Sequence, residues 1–150
     1  MFTYLSQRDP RWSQNYLGNS SLTIGRYGCT TTALAMGLTA LGAPILPPQI
    51  ASRTDFYTPD GLILWNNLKL PGGFHFVKRL YTRDDAVIQA ALKDPNSFVL
   101  LQVDNGQHWV LALSKTWFGN DYNVADPWLG KKVTACSMYH NITGCAVFYR

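Results

Sequence analysis

Cys29 stands in "RYGCTTTALAMGLTALG", residues 26 to 42, directly after a glycine and directly before an apolar run of helical spacing. A thiol in the first turn of a helix lies among unpaired backbone N–H groups at the positive end of the helix dipole. That setting favours the thiolate, which is the nucleophilic form of cysteine. Gly28 removes a side chain beside the sulfur, leaving room for a carbonyl to approach and for the backbone to turn into the helix. The plainer reading of Cys29 is a small buried hydrophobe, since free cysteine is among the most buried residue types. A thiolate that attacks a carbonyl needs a base to take and return a proton, and the chain has three histidines. His108 follows the turn "DNGQ" and opens the apolar run "HWVLAL", so it can sit at a strand end above packed residues and face a cleft. His75 alternates with Phe74 and Phe76 and is expected on the solvent face of a strand, while His140 falls in "MYHNITG", an expected loop.

A base of this kind is oriented by a third group that accepts its other N–H and stabilises the imidazolium. The run "NVADPW" supplies Asp126 at the end of the strand that follows His108's own. In an antiparallel hairpin the start of the first strand lies beside the end of the second, which brings His108 and Asp126 together. Pro127 then takes the chain out of the ladder. Asp104, four residues before His108 with a turn between, is the second candidate for the orienting role. The oxyanion formed on an attacked carbonyl needs donors, and Gln7 in "LSQRDPRW" offers a side-chain amide to join the backbone N–H of Cys29. The plainer readings are an Asp-Pro turn for Asp126 and a surface glutamine for Gln7.

These residues have to be held by the elements around them. Thr30 to Leu41 carries Leu34, Leu38 and Leu41 at helical spacing and stops at Gly42, with Pro44 beyond. "LPPQIASRT" opens a short second helix with proline in its first turn, and "PDGLILWNNLKL" reads as a third, ending at Pro71-Gly72-Gly73. A fourth has Thr82 as its expected N-cap, Asp84 and Asp85 in its first turn, and then Val87, Ile88, Ala91 and Leu92. From Phe98 the character changes: "FVLLQV", "HWVLAL", "YNVAD", "KKVTA" and "CAVFY" are short β-rich runs separated by turn residues. A helical first half and a sheet-rich second half predict an α+β domain with helices covering one side of an antiparallel sheet.

With 150 residues, 47% hydrophobic and 13% aromatic, and no repeat or linker tract to divide it, the chain reads as one domain over residues 1–150. The net charge of +4 comes from basic residues scattered along the chain. Nucleic-acid binding wants a basic stripe interleaved with aromatics, and no such stripe is present. The N-terminus lacks a basic flank followed by an apolar segment, and no stretch approaches the roughly 20 apolar residues of a membrane span. The expectation is a chain without a Sec signal or membrane span, cytoplasmic or virion-associated. Three cysteines are too few for a disulfide scaffold. Whether Cys136 and Cys145 pair across a hairpin is open from the residues alone. Cys136, His140 and Cys145 could instead hold a metal, but C-x3-H-x4-C lacks a fourth nearby ligand and matches no common zinc pattern, so no metal and no cofactor is expected. Trp12, Trp109, Trp117 and Trp128 lie near the motifs as candidates to line a cleft.

Taken in order, "LSQRDPRW", "YGCTTTALAM", "HWVLAL" and "YNVADPW" resemble the papain-like cysteine peptidases that process bacteriocin precursors by removing double-glycine leaders, together with their stand-alone relatives. The resemblance runs from Leu5 to Pro127, with the middle segment matching mainly in helix pattern. It implies a papain-like fold and a catalytic triad of Cys29, His108 and Asp126, with Gln7 as the oxyanion glutamine. Two departures stand out. Thr30 follows the nucleophile where relatives often have a smaller residue, which would narrow the cleft, and no transporter domain is attached, so leader processing during export is not expected. The substrates implied are peptides, and the basic charge suits the peptide stems of peptidoglycan, as for a phage virion-associated or lytic enzyme. The alternative is an inactive peptidase-like module of a phage tail or other assembly, with Cys29 buried and unreactive.

Overall fold

In "SFVLLQV" Phe98 and Leu100 point one way and Val99, Leu101 and Val103 the other, and both sets are buried. A strand apolar on both faces needs cover on both. A computed structural model of residues 1–150 has that arrangement. Six strands form one sheet: β1 (His75–Leu80), β2 (Ser97–Val103), β3 (His108–Lys115), β4 (Tyr122–Asp126), β5 (Lys131–Thr134) and β6 (Gly144–Tyr149). Their order is β1-β6-β2-β3-β4-β5, and every neighbouring pair is antiparallel. Five helices accompany them: α1 (Ile24–Tyr27), α2 (Cys29–Ala40), α3 (Pro47–Ala51), α4 (Asp85–Lys93) and α5 (Ala135–Tyr139).

The α+β class and the antiparallel sheet agree with the expectation; the placement of the helices corrects it. The α2 helix packs on β3, β2 and β4, while α4 packs on β2, β3 and β6 from the opposite face. The alternation explains why. Trp109, Leu111, Ala146 and Phe148 join the α2-side core, and Val110, Ala112, Val124 and Val147 form a second core that the apolar stripe of α4 covers through Ile88 and Ala91.

The α2 helix is the centre of the larger core, with Thr31 to Leu38 buried in an unbroken run. It lies tight against the sheet at Gly37, where an added Cβ would lie 2.6 Å from the Phe98 ring. The helix ends before Gly42, whose φ of +90° suits only a residue without a Cβ. No helix of the structure is long and apolar enough to cross a membrane.

Three local expectations are corrected. The N-cap of α4 is Asp84 rather than Thr82: its carboxylate accepts the Val87 N–H at 3.1 Å. The helix expected over "PDGLILWNNLKL" is absent, leaving single 3-10 turns at Trp65–Asn67 and Pro71–Gly73. Gly61, at φ +81°, turns the chain, and Tyr57 bridges Ile63. Trp65 then packs on Phe76, Trp109 and Phe148, with ring centroids 5.6, 5.2 and 6.1 Å apart. The strand "KKVTA" and the loop "MYHNITG" are both present but shorter than expected: β5 stops at Thr134, and α5 takes Ala135–Tyr139 before the loop that holds His140. The Asp121 carboxylate accepts the N–H groups of Cys136 and Ser137 at 2.8 and 3.2 Å, satisfying two orphan donors of that helix from outside it. All three cysteines are free thiols, Cys145 buried in β6 and Cys136 beside Arg83.

Candidate active site

The register of β3 and β4 pairs Leu111 with Ala125, so Asp126 stands opposite Val110 and diagonal to His108 on the same face. The His108 Nε2 lies 2.8 Å from Asp126 Oδ1. Asp126 is fully buried, and it accepts two further bonds, from the Trp128 N–H at 3.0 Å and from the Tyr139 hydroxyl in a short contact. Burial pushes the Asp126 carboxyl up, but the bonds from His108, Tyr139 and Trp128 outweigh it and hold the group below its ordinary value. Burial likewise works against a charged His108. The Asp126 hydrogen bond and the neighbouring Cys29 thiol reverse that and raise the imidazole to about 9. With Nε2 committed to the carboxylate, Nδ1 is the nitrogen left to face the thiol.

Three successive residues of the turn before His108 are left-handed, Asp104, Asn105 and Gly106 with φ of 54°, 53° and 83°, and Gln107 returns to right-handed backbone. Two non-glycine residues in that region carry strain, which the β2–β3 pairing on either side sustains. Asp104 borders the same cavity as His108 but makes no bond to it, so Asp126 alone pairs with the imidazole.

Cys29 is the first residue of α2 and presents its backbone N–H outside the helical ladder. It is partly exposed, against the reading as a buried hydrophobe. Gly28 is at once the C-cap of α1 and the N-cap of α2. Its φ of −90° is open to any residue, and an added Cβ would lie 2.6 Å from the Ile24 carbonyl oxygen. The glycine is therefore required by its close contact with Ile24, and its ordinary φ corrects the expectation that the turn into the helix calls for glycine.

Gln7 is 2% exposed and so is no surface glutamine. Its backbone N–H donates to the Pro127 carbonyl at 2.8 Å, tying the N-terminal segment to the residue after Asp126. One amide N–H reaches the Gly25 carbonyl at 3.3 Å, which leaves the second free, and Oε1 is buried without a partner.

Gln7, Cys29, His108, Trp128 and Tyr139 border one cavity of about 300 Å³. A neighbouring cavity of about 370 Å³ is walled by Tyr57, Trp65 and Trp109 and includes Thr30. Tyr27, Cys29 and Gln107 border both, so the thiol stands where the two meet. Of the other tryptophans singled out in the sequence, Trp12 is core at 2% exposure and Trp117 stands 91% exposed between β3 and β4. Cys136, His140 and Cys145 do not converge, and no group of three or more His, Cys, Asp or Glu side chains has the geometry to hold a metal ion.

Tyr139 gives no signal in the sequence, because it belongs to a helix whose first N–H groups are satisfied by the distant Asp121 and it carries no spacing signal toward Asp126. Chemically, a thiol beside an imidazole whose far nitrogen is held by an ionised carboxylate can form a thiolate–imidazolium pair, with amide donors close by for a developing oxyanion. No protein-family model matches the chain, and no curated protein matches it either.

Proposed function

We propose that this chain is a thiol hydrolase of papain-like type that cleaves peptide amide bonds. The observation that carries the proposal is a buried His108–Asp126 pair opening into the cavity that Cys29 and Gln7 share. Nδ1 of His108 takes the Cys29 proton, and the sulfur attacks the amide carbonyl. The resulting oxyanion accepts from the Cys29 backbone N–H and the unused Gln7 amide N–H. The tetrahedral adduct collapses with cleavage of the C–N bond, and His108 returns the proton to the departing amine. Water, deprotonated by His108, then attacks the thioester and releases the acid and the thiol. Asp126 keeps the ring oriented and stabilises its cationic form throughout.

The substrate class that suits the net charge of +4 is a peptide in anionic surroundings, as in the stems of peptidoglycan. The test is alkylation by iodoacetamide followed by peptide mass spectrometry, with Cys136 as an internal reference, since burial raises its titration. At about pH 6, Cys29 should label at least roughly tenfold faster than Cys136, and His108→Ala should remove the advantage. Equal labelling of the two thiols overturns the proposal. So does hydrolysis of a peptide mixture or of cell-wall fragments that survives in Cys29→Ala.

A further inference from the structure

Arg79 lies on β1, an edge strand separated by β6 and β2 from the β3 strand that holds His108, yet its side chain reaches the cleft. It crosses β6 at Gly144, where an added Cβ would lie 2.6 Å from Arg79 Nη1 and 2.5 Å from the Leu80 carbonyl oxygen. Only a residue without a side chain leaves that passage open. Beyond it the guanidinium is packed between two rings, its central carbon 4.0 Å from the Tyr81 centroid and 4.8 Å from that of Trp109. Nη1 donates to the Leu80 carbonyl and Nη2 to Gln102 Oε1 at 3.1 Å. Gln102 is braced in turn, accepting from Thr143 at 3.1 Å and donating to the Gly106 carbonyl at 3.2 Å.

This is a guanidinium held in place with donors to spare. Two of its five N–H groups are used within the chain. Arg11, Arg53 and Arg83 each have a carboxylate partner, and Arg79 has none. A half-buried cation without a counter-ion is costly to maintain, and burial indeed lowers its titration from that of a free guanidinium.

The chemistry of the cleft says which part of a substrate meets it. His108 protonates the leaving amine, so the leaving half occupies the cavity that contains His108. The acyl half then lies in the aromatic cavity on the other side of Cys29, the one that Arg79 borders. We propose, on the thiol-hydrolase reading above, that Arg79 is a specificity residue that binds a carboxylate on the acyl side of the substrate, so that acidic peptides are the preferred class. The Tyr57, Trp65 and Trp109 walls would cover the aliphatic part of that residue while the fork of Arg79 takes its two oxygens.

The test uses Cys29→Ala protein, whose binding is read without turnover, and matched peptides with Glu or Gln one to three residues before the scissile bond. Tryptophan fluorescence reports occupancy of the aromatic cavity. The glutamyl peptide should bind about tenfold tighter than its glutaminyl twin, and the preference should weaken with salt. Arg79→Gln in the same background should abolish the difference, while Arg79→Lys, which keeps the charge and loses the fork, should retain part of it. Equal affinities, no measurable binding of either peptide, or a preference that survives Arg79→Gln would each overturn the proposal. Turnover of the same peptides by the unsubstituted protein separates the two readings. Glutamyl preference in binding without cleavage of any peptide rejects the hydrolase and keeps the Arg79 site. Cleavage of both peptides at equal rate, with equal binding, does the reverse.

Discussion

The two sides of the cleft are built differently. His108 and Asp126 come from β3 and β4, whose register is pinned by strands on both flanks, and Asp126 is locked by three donors in a fully buried position. Cys29 and Gln7 come from a helix start and an irregular N-terminal segment, placed by a glycine pressed onto Ile24 and by one backbone bond to Pro127. The base side is held by a buried charge and its hydrogen bonds, the nucleophile itself by shape. The two should therefore fail in different ways: the first when a charge is removed, the second when a methyl group is added.

Removing the charge should have the largest effect. Asp126→Asn leaves the outline of the site intact but puts an amide where three donors meet, and turnover should fall by about 10³-fold or more. The imidazole of His108 should drop from about 9 toward its ordinary 6.5, which an NMR titration of the ring protons would read. An unshifted imidazole would mean that the thiol, rather than the carboxylate, raises it.

Adding a methyl should have a smaller and different effect. Gly28→Ala must displace the joint of α1 and α2 from Ile24, costing about 1–3 kcal/mol of stability as overpacking does. Turnover should fall about 10- to 100-fold because the sulfur is displaced, while the His108 titration stays near about 9. Thermal melting and the same NMR titration check both halves of that expectation. A loss of the His108 shift in this variant would erase the distinction between the two sides.

Protonation should give the smallest effect, again confined to the base side. The folded-state value of His108, about 9, lies above its unfolded value near 6.5. Its contribution to stability is therefore complete below about pH 6.5 and lost as pH rises through about 9. Asp126 has the opposite sign: its depressed value contributes above the ordinary 3.8 and is lost as acid protonates it. Melting temperature should be highest between those limits and fall by a few degrees up to about pH 9, with a flatter profile in His108→Gln. Equal slopes in the two proteins would assign the loss to other groups.

The same contrast governs what could be read from the chain alone. His108 and Asp126 were legible as a pair because a hairpin makes spacing into proximity, and Cys29 was legible because glycine and an apolar period mark a helix start. Gln7 was identified by type, but its burial comes from a bond to a residue 120 positions later, which no local pattern encodes. Helix α5 and Tyr139 were hidden for the same reason, since Asp121, in the connection between β3 and β4, accepts the first N–H groups of that helix. The segment around Trp65 misled because its apolar residues suit a helix, while Gly61 and the aromatic contacts across the sheet decided otherwise. The second covered face was present in the strands as unbroken apolar runs, a signal of two-sided burial.

Helix α2 meets the Phe98 ring of β2 at Gly37, eight residues along from Cys29, or about 12 Å at the rise of an α-helix. Mechanically, that contact is a pivot and the N-terminal turn is the end of a lever arm. How far the sulfur stands from His108 is thus gauged by a clearance narrower than one methyl group, at a point that no substrate touches. The gap between nucleophile and base can be widened or narrowed from the interior by side chains opposite that pivot, with every group in the cleft left as it is.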